Sequence, residues 1–81
     1  MMNLNEMREK LEAMQNGWYG RLSDITEELE DMGIDRECIY ADREYVSFTT
    51  EVEDGEDIEV VLHLGGTERT ITVDSIECDK F

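Results

Sequence analysis

Residues 58–64, Ile58-Glu59-Val60-Val61-Leu62-His63-Leu64, alternate apolar and polar side chains with a single break at Val61. A period of two is that of a strand with one face buried, here Ile58, Val60, Leu62 and Leu64, and one face wet. The stretch just before it, Glu53-Asp54-Gly55-Glu56-Asp57, is a turn, and Tyr45-Val46-Ser47-Phe48-Thr49-Thr50-Glu51-Val52 before that is rich in β-branched and aromatic residues. Val46, Phe48, Thr50 and Val52 share one of its faces. After the central strand, Gly65-Gly66 gives a two-residue hairpin signal, and residues 67–73 close a meander with Arg69, Ile71 and Val73 facing one way. A short strand at Cys38–Ala41 is expected to pair on the edge.

Moving towards the N-terminus, the period changes from two to between three and four. Leu4, Met7, Leu11 and Met14 form one apolar stripe, preceded by Asn3 and Glu6 in a capping-box spacing. Ile25, Leu29 and Met32 form a second stripe, with Asp24 and Glu27 as the capping pair, Gly33 as terminator and Ile34 placed to fold back onto Leu29 or Glu30. Together with Trp18 and Leu22 these residues make a nearly unbroken heptad seam, which one long self-pairing helix would also satisfy. Gly17 and Gly20 oppose that, since glycine weakens a helix interior by about 1 kcal/mol relative to alanine. Two helices with a corner at 16–21 are therefore expected. The fold class is α+β, with two N-terminal helices packed on a three- to four-stranded antiparallel meander. A chain of 81 residues is read as a single domain, 1–81, with its helical part at 3–33 and its meander at 38–76.

The charge is extreme. Seven Lys and Arg face 22 Asp and Glu, for a net charge of -15, and both halves of the chain share in the excess. Direct binding to nucleic acid or to anionic lipid is disfavoured, because both are polyanions. The matching partner is a protein with a basic surface, such as a nucleic-acid-processing enzyme; a cation or the salty cytoplasm of a halophile matches the charge as well. No apolar run approaches the length of a membrane span, and the N-terminal residues lack the regions of a signal peptide, so a cytoplasmic location is expected. The two cysteines, Cys38 and Cys78, are then expected as free thiols.

No catalytic, cofactor or metal motif is expected to operate, and the chain reads as a binding protein rather than an enzyme. Setting Gly55 as the sixth residue of a calcium loop puts Thr50, Val52 and Val61 at ligand positions they cannot fill. His63 is the sole histidine and has no zinc-type spacing to either cysteine. The candidates that carry function are acids and aromatics: Glu27, Glu28, Glu30 and Asp31 on the second helix, Glu53, Asp54, Glu56 and Asp57 in the loop, and Tyr19 and Tyr45 as anchors. Carboxylates so arrayed can stand in for phosphates on a groove built for nucleic acid. Trp18 reads as a plug for the end of the core.

In size and acidity the chain resembles the small inhibitors that phages deploy against restriction or CRISPR systems. The resemblance is one of composition, and it implies an inhibitor or regulator acting as a nucleic-acid mimic. The alternative is a generic acidic adaptor or housekeeping domain adapted to high salt, mildly suited by five Arg against two Lys. The heptad seam also suits a homodimer.

Overall fold

Asn3 opens the first helix, its side-chain oxygen accepting from the Asn5 amide at 2.8 Å and the Glu6 amide at 3.4 Å. In the computed structural model, which describes residues 3–53 and 55–81, this helix is α1, Leu4–Gln15. Asn16 and Gly17 end it, and the chain turns through the corner that the two glycines suggest. The second helix, α2, is Leu22–Asp31. It starts earlier than the expected Asp24–Glu27 capping pair implies, because Asp24 acts from the third helical position rather than as the cap. Its carboxylate reaches back to the Arg21 amide at 2.8 Å. At the other end the Gly33 amide donates to the Glu30 carbonyl at 2.9 Å and the Ile34 amide to the Leu29 carbonyl at 3.2 Å. That pair of bonds is a Schellman motif, with Gly33 at a φ of 96° and Ile34 buried beyond it.

The strands are β1, Tyr19–Gly20; β2, Ile39–Ala41; β3, Tyr45–Glu51; β4, Asp57–Gly66; and β5, Ile71–Glu77. They form one antiparallel sheet in the order β1-β5-β4-β3-β2. The fold is α+β, as expected, but the sheet has five strands rather than three or four. The additional strand is the interhelical corner itself, where Tyr19 pairs with Thr72 and Gly20 with Ile71. A 3-10 turn at Arg36–Cys38 delays the start of β2 by one residue, to Ile39.

The β4–β5 hairpin corrects a second expectation. Gly65 and Gly66 are not its turn; they are the last residues of β4, opposite Thr72 and Ile71. The turn is Thr67-Glu68-Arg69-Thr70, closed by reciprocal bonds between Thr67 and Thr70 of 3.0 and 3.2 Å. Arg69 is therefore at the tip and not on a strand face with Ile71 and Val73. In β5, Asp74 is the extra residue of a bulge, since His63 pairs with Ser75 while Leu64 pairs with Val73. The bulge restores Ile76 to the same side as Leu62.

Both helices lie on one face of the sheet, and their stripes meet its alternating apolar residues. Met7, Leu11, Ile25 and Leu29 have no exposed surface, and neither do Val46, Val60 and Leu62 beneath them; Phe48 is 1 % exposed. α1 packs over β5, and α2 lies towards β2. Trp18 is half-buried against the edge of this core. No charged or polar side chain is buried among the described residues. No helix among them is long and apolar enough to cross a membrane.

Candidate protein-interaction surfaces

The α2 acids arise from simple periodicity. Burying Ile25 and Leu29 turns Glu27, Glu28, Glu30 and Asp31 to solvent. The four do not act as one row. Glu28 and Asp31 point to α1 and line a groove with Lys10, Ala13, Met14, Trp18 and Met32, of about 360 Å³. Glu30 faces the other way, 3.9 Å from Arg36. Glu27 is exposed and makes no side-chain hydrogen bond or ion pair among the described residues.

Of the loop acids, Glu53 and Asp57 lie at the end of the molecule where α1 begins and α2 ends. Glu53 accepts from the Asn3 side chain at 3.3 Å, which ties the loop to the helix cap. Glu56 pairs with Lys80 at 3.0 Å. Asp57 opens β4 opposite Glu51, and Asp54 lies outside the described residues. Asp57 and Glu51 join Glu6 and Asp35 around a second cleft, of about 600 Å³, which also touches Met7, Met32 and Ile34. Met32 borders both cavities, which therefore adjoin at the C-terminal end of α2. Among the described residues no three His, Cys, Asp or Glu groups are close enough to hold a metal ion.

The tyrosines stand elsewhere. Tyr45 is paired with His63, and His63 with Ser75, on the sheet face turned away from the helices. Tyr40 of β2 packs beside Tyr45, ring centroids 5.4 Å apart and planes inclined by 32°. The Tyr40 hydroxyl donates to Asp42 at 3.2 Å, and that bond, with the charge behind it, holds the phenol above its ordinary pKa. Asp42 is held below the usual carboxylate range by the Glu44 amide, then the Tyr45 amide, which its Oδ1 accepts at 2.8 and 3.2 Å. On the same face His63 Nε2 lies 3.0 Å from Glu77 Oε2. Both are exposed, so the pair adds at most about 1 kcal/mol even when the imidazole is charged. Tyr19, 68 % exposed, marks the β1 edge of this face.

The residues singled out from sequence thus fall on two faces. The α2 acids and the loop share the helical side and one end; Tyr19 and Tyr45 belong to the open sheet. Other residues join them: Lys10 in the groove, Glu6 at the cleft with Asp35 and Glu51, which flank the α2 and loop acids in sequence, and Tyr40 and Asp42 on the sheet. Register and helix packing place these, and neither is visible in a linear pattern. Both cysteines are free thiols, Cys38 exposed at the larger cleft and Cys78 partly covered. Comparison with protein-family models, with curated proteins and with solved structures returned no match.

Proposed function

We propose that this protein is a small acidic binding protein that occupies a basic, nucleic-acid-binding surface of a partner enzyme and inhibits or regulates it by charge mimicry, in the manner of phage anti-CRISPR or anti-restriction proteins. The observation that supports this most is where the charge sits. The chain carries a net charge of -15, and no charged residue among those described is buried, so their negative excess lies at the surface. Several of its few cations are already engaged. Arg8 holds Glu12 at 3.0 Å, Lys80 holds Glu56, and Arg43 donates to the Gly66 carbonyl at 2.9 Å.

A surface of that kind steers a basic partner into contact and repels DNA, RNA and anionic lipid. The contact surface on this reading is the α2 acids and the 53–57 loop, continued through the cleft between them. The test is capture of partners on the tagged protein at low salt, followed by elution with rising salt and with competitor DNA. A nucleic-acid-processing protein that is retained and then displaced by DNA is the expected result. Retention that DNA does not affect, or no retention of a basic protein, ends the mimicry reading.

A further inference from the structure

We infer that the groove between α1 and α2 receives an arginine side chain of the protein partner, its stem on the methionines and its guanidinium between Glu28, Asp31 and the Trp18 ring. The inference rests on the proposed function and names the contact through which it would act. The groove has the two parts such a side chain needs. Met14 and Met32 are nearly fully buried and offer a soft apolar floor, while Trp18 keeps part of its ring surface exposed at the groove. One wall carries Glu28 and Asp31; the other carries Lys10, which repels a cation from the α1 side and directs it to α2. At about 360 Å³ the space is at the small end of ligand sites, which span about 300–1,000 Å³. That suits one long side chain better than a nucleotide or a helix.

The two carboxylates are also ready for a cation. Neither Glu28 nor Asp31 makes a side-chain hydrogen bond or ion pair among the described residues, whereas Glu30 and Glu56 both have cationic neighbours. Spaced three apart on a helix, Glu28 and Asp31 repel each other, and an incoming positive charge relieves that. Arginine fits better than lysine. Its planar head can stack on an indole and engage carboxylates with two parallel bonds, and it sheds water more readily than an ammonium.

Trp18 is the sole tryptophan, so its emission reports on the groove directly. The probe is a peptide of four Arg-Gly repeats, compared with the Lys-Gly peptide of equal charge. The Arg peptide is expected to change Trp18 emission saturably and to bind about fivefold tighter than the Lys peptide. E28Q/D31N is expected to weaken it about tenfold. E59Q/E77Q, which removes the same charge from the opposite face, should leave it nearly unchanged. Circular dichroism on both variants checks that the fold is intact. Absence of binding, binding that leaves Trp18 emission unchanged, or equal losses in the two variants each overturn the inference. In the capture experiment, DNA displacement that is indifferent to E28Q/D31N removes the groove and leaves mimicry standing. A specific Trp18 response to arginine without DNA displacement does the reverse.

Discussion

The carboxylate of Asp74 lies over Gly65, so that a Cβ at position 65 would stand 2.7 Å from its Cγ. The same carboxylate accepts from the Thr72 hydroxyl at 2.9 Å, and the Asp74 carbonyl accepts from Gln15 of α1 at 3.1 Å. Gly65 is thus the ground on which the bulged residue of β5 is seated. Gly65→Ala is expected to cost about 1 kcal/mol, since the obstructing carboxylate ends an exposed side chain that can turn aside at the loss of its Thr72 bond. Asp74→Ala in the same chain should recover most of that loss, since it removes the obstructing group. Gly66→Ala should not be recovered: its Cβ would meet the Thr70 backbone carbonyl, and its φ of 80° disfavours any side chain. Urea denaturation of the double-mutant cycle decides the matter; no recovery by Asp74→Ala would mean that Gly65 is required for another reason.

The Schellman turn makes a separate claim about α2. Gly33→Ala places a Cβ in the left-handed region with nothing nearby to clash, so its cost is conformational alone, about 1–2 kcal/mol. Ile34→Ala removes a core side chain that the same turn folds inward and should cost more, about 2–5 kcal/mol. Thermal or urea unfolding gives both values. The reverse order would show that Ile34 contributes little to the core.

Much of this architecture was legible because local patterns agreed with the global fold. The stripes at Leu4–Met14 and Ile25–Met32, the Gly33–Ile34 ending and the alternation at 58–64 each appear where the residues place them. What was not legible depends on partners distant in the chain. Tyr19–Gly20 becomes a strand only because β5 lies beside it. Gly65-Gly66 resembles a hairpin turn, but those glycines answer to Asp74 and Thr70, while the real turn at Thr67–Thr70 lacks a turn-forming glycine. The candidate surface was legible as a set of acids and not as an arrangement. One residue of difference around a helix sends Glu30 to Arg36 and Asp31 into the groove.

Acid should loosen the β2–β3 turn at a pH of its own. Asp42 Oδ1 takes the Glu44 and Tyr45 amides, and its folded-state pKa is lowered, first by the Glu44 amide. A lowered carboxyl pKa means that the stabilisation is present above the unfolded value of about 4 and is lost as pH falls through the folded one. Tyr40 runs the other way. Its raised pKa means that its bond to Asp42 stabilises the fold below about pH 10 and is lost as pH rises through the folded value. An NMR titration should show the Glu44 and Tyr45 amides responding together with Asp42 below the usual carboxylate range. Asp42→Asn should bring Tyr40 down towards an ordinary phenol. A Tyr40 midpoint that does not move in that variant would mean that the hydrogen bond is not formed in solution.

Salt should stabilise this protein over a range set by its own dimensions. The body measures 37 × 24 × 19 Å and carries its negative excess at the surface. The screening length is roughly 30 Å at 0.01 M salt and roughly 10 Å at 0.1 M. At the lower concentration carboxylates on opposite faces still repel one another, and at the higher one only near neighbours do. A first gain in stability should therefore arrive between those two concentrations, as repulsion across the body is screened, and a further one up to about 1 M, where the length of about 3 Å falls below the roughly 5–6 Å between neighbouring helix charges. Because the apolar core is continuous and holds no charge among the described residues, the chain should already be folded at the low end. Urea midpoints measured across this series test both points. A fold that forms only near molar salt would instead favour a generic acidic domain adapted to a saline interior, and the surface acids would then need no partner to explain them.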